Sequence, residues 1–518
     1  MQAKKIFLVV TLLVVLTGTL PYLYAQHRAG EHHVFGGFLI NYQDGNSYLA
    51  KMRQGWEGEW TFDLPYSAQT GPGGAGLFLF YLTLGHLARL TGLSLLAVYH
   101  IFRVAGTIFM LWALSRFFEK VFVQPSAQWA GFILASFGAG LGWLALAFGA
   151  FTMDFWVAEA YPWLTSYTNP HFVIGLALML LLLAPDLVRS PVLAGFLSLG
   201  LGIIQPFGVV LVAAVLGGEL ILDWALEPRR GLKVWLGKSP APKVAAVAFM
   251  GGAVLLYQYG VIINHPQLAG WNAQNQTPTP PLWDVVWALS PSLPLAVLGL
   301  KRFRLQRGKD QAHTRILYLW LGLALILSYV PWNLQRRFLT GVMVPTAGAA
   351  VLGLQDLKTR ISLPLRKGII LVLGLCLPTI AVILASGAGA AAVQDSQIYL
   401  TQSEYQVLDW LNDQVREGDL VLTRPRMGLY VPVYTGARVF YGHPFETIQA
   451  EEMRSLVEDV YHGKFNDSEL GALLHELDVD YVLVDAQNDK GNTPDFDQWG
   501  SLVYQKKGIR VFHITGSG

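Results

Sequence analysis

Apolar runs of roughly twenty residues, set apart by short polar stretches, recur along the first three-quarters of the chain, and about twenty is the length a helix needs to cross a bilayer. After an N-terminal run from Ile6 to Tyr24, such windows fall at 97–118, 129–150, 172–185, 191–204, 207–225, 243–262, 283–300, 315–331, 338–354 and 367–391. Together they predict an all-α polytopic membrane bundle of about eleven transmembrane helices. The first run follows Lys4 and Lys5 like a signal peptide, with Tyr24-Ala25-Gln26 close to a cleavage-like ending, but its length and the spans after it favour a retained helix. Residues 74–93 are also apolar. They carry His86 and Arg89 among many glycines and read as a helix lying at the membrane interface.

From residue 394 the pattern changes to that of a soluble domain. "SEYQVLDWLNDQV" repeats apolar residues at helical spacing, "DLVLT" and "DYVLVD" read as short buried strands, and "DSELGALLHEL" is an amphipathic helix opened by an Asp/Ser cap. The expected organisation is a transmembrane domain over 1–393, including a long loop at 25–96, followed by a small α/β domain over 394–518.

Charge orients this bundle. The loops at 227–243, 301–315 and 355–367 hold five, six and four Lys/Arg, whereas 151–171 and 263–283 hold none. Cytoplasmic loops collect basic residues, so the expectation is a cytoplasmic N-terminus in the cell membrane and, with an odd number of spans, an extracytoplasmic C-terminal domain.

Composition agrees and excludes other classes. The chain is 53% hydrophobic and 14% charged, with a net charge of +2. That charge, with no basic block interleaved with aromatics, argues against nucleic acid as a partner. Cys376 is the only cysteine and sits in an apolar run, so it reads as packing. No glycine-rich phosphate loop occurs, and no nucleotide cofactor is expected.

The polar residues that stand out gather on the expected outer side. The first loop holds Asp44, Asn46, Tyr48, Trp56, Trp60 and Asp63, and the second, "FTMDFWVAEAYPWLTSYTNPHF", holds Asp154, Glu159 and His171. Each has a plain alternative. Asp44 lies in Asp-Gly-Asn-Ser, which is strong turn chemistry; Asp154 reads equally as a helix cap, and His171 as a hydrogen-bonded helix-end residue. "PWNLQRRFLTG" is more pointed, because Arg336 and Arg337 fall on the side where the charge rule disfavours them. Two adjacent guanidinium forks at a helix start make an anion site, or else snorkel to lipid phosphates. Acids and an arginine pair on one face suit a reaction in which a hydroxyl loses its proton and a phosphate leaves.

This plan resembles the GT-C class of polytopic glycosyltransferases, which use polyprenyl-phosphate sugars and include protein O-mannosyltransferases and the lipid A aminoarabinose transferase. The likeness lies in a long first outer loop with Asp44 soon after the first span, acids after the third, and "YHIFRVAG" with Arg103 at the start of the second. The resemblance implies transfer of a sugar from a polyprenyl-phosphate donor to a lipid, glycan or protein acceptor hydroxyl, among membrane lipids. It implies that Asp44 is the catalytic Asp, Asp154 or Glu159 the second acid, and Arg336 or Arg337 the basic residue facing the lipid phosphate, with His171, Arg103 and Tyr48 as further substrate-side candidates. The class commonly pairs acids in the first loop, whereas here Asp44 is followed by Gly45, so a divalent metal stays an open expectation.

Two other classes compete. A secondary transporter calls for mid-span ionisable residues and repeated halves, and a non-catalytic scaffold calls only for an outer domain that binds a glycan or partner. In the C-terminal domain "YTGARVFYGHPFETIQ" stands out, with Arg438, His443 and Glu446 placed to help hold an acceptor while the domain itself does no chemistry. Reporter fusions at about residue 235 and at the C-terminus are expected to report opposite sides of the membrane, and same-side signals would sink the odd-span topology.

Overall fold

The structure, a computed structural model, describes residues 2–69, 71, 73–226, 240–300, 309–485 and 493–515. The basic residues Arg229, Arg230, Lys233, Lys238, Lys301, Arg302, Arg304 and Arg307, on which much of the orientation reading rests, lie outside the described residues. By internal contacts the chain divides into two compact units. One comprises 1–21, 100–257 and 277–388; the other comprises 22–99, 258–276 and 389–518.

The first unit is helical. Every apolar window of the sequence falls on helix, but the helices differ in length and continuity. Among the described residues five helices are long and apolar enough to span a bilayer, Lys4–Arg28, Leu95–Val121, Pro206–Leu226, Ala241–Asn264 and Leu365–Ala392. Others, such as Pro170–Leu183 and Pro191–Ile204, are only 14 residues long. Each of these begins on a proline, whose missing N–H and fixed φ suit the first helical position and no later one.

Two expected spans are broken. The window at 283–300 is a helix Leu282–Ala288 followed by Ser292–Gly299, bent by 90°, with Pro291 in the break because proline cannot donate to a continuing helix. The window at 129–150 is a helix Pro125–Ser136, then the run Phe137–Leu141, then the short helix Gly142–Ala147. Here the cause is close approach: a Cβ on Gly140 would lie 2.1 Å from the Ala288 carbonyl oxygen. The two breaks satisfy each other. Trp287 Nε1 donates to the Leu141 carbonyl at 2.9 Å, Tyr161 Oη to the Ala288 carbonyl at 2.8 Å, and Thr379 Oγ1 to the Gly140 carbonyl at 3.0 Å. Backbone polar groups freed by a broken helix in an apolar setting cost several kcal/mol each unless paired in this way.

The second unit joins the first loop to the C-terminal residues, so the loop's contacts do not follow the linear division at 393/394. Strand β1 (His33–Phe35) pairs antiparallel with β2 (Tyr399–Thr401). The loop then forms a helix Tyr42–Glu57, a connection, and a helix Leu79–Thr91 that covers most of the expected interfacial segment. These two helices pack closely, since a Cβ on Gly85 would lie 1.9 Å from the Met52 carbonyl oxygen and one on Gly55 2.1 Å from that of Leu82.

The expected α/β fold is present. Strands β3 (Leu420–Thr423), β4 (Arg438–Val439), β5 (Tyr481–Asp485), β6 (Gly500–Lys506) and β7 (Ile509–Ile514) form one sheet in the order β4-β3-β5-β7-β6, parallel over its first three strands and antiparallel after. Helix Gln402–Asn412 is opened by a Thr401/Glu404 capping box, and Asp467–Glu476 by Asn466 with Glu469. The cap of the latter is therefore Asn466, one residue before the expected Asp/Ser pair.

Replacing Gly85 by Ala is expected to force the two first-loop helices apart and destabilise the second unit by about 1–3 kcal/mol or more. Gly217→Ala, where nothing lies within 4 Å of the new methyl, is the control. Thermal unfolding in detergent checks the pair; equal melting temperatures would contradict the close-packing argument.

Candidate functional site

Asp44 is not in a turn. Asn41, at φ 51°, turns the chain, and Asp44 sits in the first turn of helix Tyr42–Glu57, where a carboxylate meets the positive end of the helix dipole. Asp-Gly-Asn-Ser is accommodated as helix because the Phe38 ring packs directly on Gly45, where a Cβ would lie 2.4 Å away. The Asp44 side chain is 43% exposed, and its Oδ1 lies 3.7 Å from His443 Nε2.

Next to it a buried ion pair ties the first-loop helix to the segment His443–Thr447. Lys51 is fully buried, and its Nζ donates to Glu446 Oε1 and to Ser47 Oγ, both at 2.6 Å. Ser47 Oγ in turn donates to the same Glu446 oxygen at 2.5 Å. The ammonium also lies 4.6 Å from the centre of the Phe78 ring and 5.2 Å from that of Phe62, an arrangement that compensates part of its lost hydration. Burial alone would push the Glu446 carboxyl up, but the Lys51 charge and the hydrogen bonds from Lys51 and Ser47 hold it below the usual carboxylate range. Tyr48 stacks on Tyr81 at 4.4 Å. Arg438 is a clamp, donating to the Gly418 carbonyl at 2.7 and 3.0 Å and to that of Ala68 at 2.9 Å.

In the first unit the two second-loop acids have different surroundings. Asp154 is buried and accepts from Gly140 N at 3.1 Å, Gly142 N at 2.9 Å and Thr152 Oγ1 at 2.6 Å. Burial raises its pKa, and those hydrogen bonds only partly offset the rise. Asp284 accepts from Met153 N at 2.8 Å beside it. These carboxylates pin the broken spans to the second loop. Glu159 instead faces the arginines. Its Oε1 lies 3.1 Å from Arg337 Nη1 and 4.0 Å from Arg336 Nε, and the Arg336 guanidinium lies 4.8 Å from the Trp156 ring centre. The arginine side chains keep 18% and 28% of their exposure while Glu159 keeps 3%. Two guanidinium forks thus share one carboxylate, and paired guanidinium groups are of a kind that suits an anion.

Arg103 is buried, with Nη1 donating at 2.8 Å to the carbonyls of both Gly18 and Ser166, so it braces three segments of the first unit. His171 is half-buried at the start of helix Pro170–Leu183, its ring 4.1 Å from that of Phe172. Among the described residues no three His, Cys, Asp or Glu side chains come together as a metal would require, and no step is assigned to a metal ion. Lys51, Ser47, Asp284 and Trp156 were not singled out by sequence; Lys51 lies one helical turn after Ser47, which puts the two side chains on one face but names no partner for them.

Lys51→Met leaves the Glu446 charge buried without its cation and is expected to cost about 3–5 kcal/mol, whereas Lys51→Met with Glu446→Leu costs less than either change alone. Because the folded-state pKa of Glu446 is depressed, its contribution is fully present above the ordinary value of 4.5 and is lost as pH falls through the lower folded value. Melting temperatures of the wild type and the double variant should therefore converge only in acid, and additive losses would show that the pair is not coupled.

A family model described as a family of unknown function (DUF6541) matches residues 285–512. No curated protein matches the sequence. Among solved structures, the apo oligosaccharyltransferase of Archaeoglobus fulgidus matches with a TM-score of 0.56 at 13% identity, over 99% of this chain and 74% of that one. The same archaeal enzyme, AglB, in complex with an inhibitory peptide and a dolichol-phosphate matches at 0.52 and 13% identity, over 98% and 74%. The arabinofuranosyltransferase AftD from Mycobacteria matches at 0.52 and 11% identity, over 97% of this chain; the chain spans 40% of that enzyme's length. At these identities the likeness establishes the fold.

Proposed function

We propose that this chain, which has the GT-C fold, is a membrane glycosyltransferase that moves a sugar from a polyprenyl-phosphate donor to an acceptor hydroxyl on the outer face of the membrane. The observation that carries the reading is the Arg336–Arg337 pair held by Glu159. A lipid phosphate is an anion confined to the membrane surface, and paired guanidinium forks suit it. The archaeal relative with a dolichol-phosphate in its complex supports a donor of that chemistry.

Asp44 takes the acceptor's proton. As the acceptor oxygen forms its bond to the anomeric carbon, the O–H proton passes to the Asp44 carboxylate, the bond from that carbon to the phosphate oxygen breaks, and its electron pair leaves on the phosphate. The arginine pair of the first unit is assigned to the donor phosphate's negative charge. Glu159 orients the arginines; a carboxylate already paired with guanidinium is a poor base. Asp154, bonded to two backbone amides, acts as a brace.

The test uses farnesyl-phosphate-linked hexoses and pentoses as donors with reconstituted protein and a membrane glycan extract as acceptor. Asp44→Asn is expected to lower kcat by about 10²- to 10⁴-fold with donor binding retained, and Arg336→Ala or Arg337→Ala to weaken donor binding about tenfold or more. Wild-type turnover in Asp44→Asn, with activity abolished by Glu159→Gln or Asp154→Asn, would move the base to the second loop. Absence of transfer with every donor would remove the reading.

A further inference from the structure

His443 belongs to the C-terminal residues of the second unit, yet its imidazole is buried against the first-loop helix that carries Asp44. Its two nitrogens have different duties. Nδ1 accepts the backbone N–H of Phe445 at 3.1 Å and of Glu446 at 3.2 Å. A nitrogen that accepts two N–H groups carries no proton, so in the neutral ring the proton is on Nε2. That Nε2 is buried and makes no hydrogen bond among the described residues, a costly state for a donor. It lies 3.7 Å from Asp44 Oδ1, and the half-exposed Asp44 carboxylate needs only a small side-chain rotation to close that gap to hydrogen-bond length. Catalytic hydrogen bonds are often long before substrate binds and tighten in the complex.

We infer that His443 is the positioning residue for Asp44: its Nε2–H holds one carboxylate oxygen and leaves the other to face the acceptor hydroxyl. The C-terminal domain thus contributes to the chemistry that the sequence reading denied it. The inference rests on the reading of Asp44 as the base, and the contact between the two side chains is testable apart from it. Lys51 on the helix of Asp44, Glu446 on the loop of His443, and Tyr66, whose ring centre lies 5.7 Å from that of His443, are the titratable groups around the imidazole. Lys51 and Glu446 are bonded to each other through Oε1, Glu446 Oε2 is buried without a hydrogen bond among the described residues but lies beyond ion-pair distance of the imidazole, and Tyr66 donates to the Leu429 carbonyl. This leaves Asp44 as the acceptor toward which the Nε2–H is aimed.

Two substitutions separate holding the loop from holding Asp44. In His443→Asn the amide oxygen stands near Nδ1 and can keep the backbone bonds, but no donor reaches Asp44. In His443→Gln the amide nitrogen stands near Nε2 and keeps the donor while the backbone bonds are lost. A carboxylate that accepts a hydrogen bond is harder to protonate, and carbodiimide labels only the protonated form. With a water-soluble carbodiimide and glycine ethyl ester, followed by mass spectrometry at position 44, the pH midpoint of labelling is expected to rise in His443→Asn and to stay near wild type in His443→Gln. In the transfer assay His443→Asn is expected to lower kcat between about tenfold and about a hundredfold with KM unchanged, and to add nothing to Asp44→Asn. Thermal unfolding should rank the variants the other way, His443→Gln being the less stable. An unshifted midpoint in a folded His443→Asn protein would overturn the inference. So would a kcat loss that follows stability and not the donor. If Asp44→Asn keeps full turnover while the midpoint still shifts, the contact stands and the base assignment alone fails.

Discussion

An ammonium buried beyond reach of water must have a partner held close, and in this chain that requirement fastens two distant stretches together. Lys51 is on the first-loop helix and Glu446 follows the fourth strand of the sheet order's edge, and they meet at 2.6 Å. One turn before Lys51 the same helix presents Ser47, and one turn before that its N-terminal end with Asp44. Three residues before Glu446 the loop presents His443. Once the ion pair is made, the meeting of Asp44 and His443 follows from helix periodicity and a short loop. The ion pair thereby sets the geometry of both side chains.

The first unit solves a different problem. Two of its helices break, and broken helices expose backbone groups that an apolar surrounding leaves unsatisfied. The breaks are set against each other, so that Trp287 and Tyr161 serve the freed carbonyls while Asp154 takes the amides of Gly140 and Gly142. The result is fully paired backbone beside the loop that carries Glu159 and Trp156, the two residues against which the arginine pair rests.

Much of this was legible from periodicity. The apolar windows coincide with helices and "DLVLT" and "DYVLVD" with buried strands, because burial dictates composition locally. The breaks were not legible as breaks: "FGAGLG" and "LSPSLP" lie inside apolar windows that hydropathy averages smoothly, and only the close approach of Gly140 to Ala288 explains the first. Asp-Gly-Asn-Ser misled because turn chemistry is a local preference, and the Phe38 ring seated on Gly45 overrides it. The acids show the limit most clearly. Asp154 and Glu159 lie five residues apart in one loop and look alike in sequence, yet one is bonded to backbone amides and the other to guanidinium. What separates them is the identity of residues far along the chain, which spacing cannot report. Lys51 escaped notice for the same reason, since its partner lies 395 residues further along the chain.

The Lys51–Glu446 pair joins residues 395 apart in the chain. At about 5–20 residues per second, the ribosome finishes the first loop roughly 20 to 80 s before the lysine's partner exists. During that interval a helix with a cationic centre and an aromatic flank cannot complete its fold. The nascent protein is therefore at its most vulnerable early, in one of its oldest segments, and completion of the second unit is a late event timed by the end of translation.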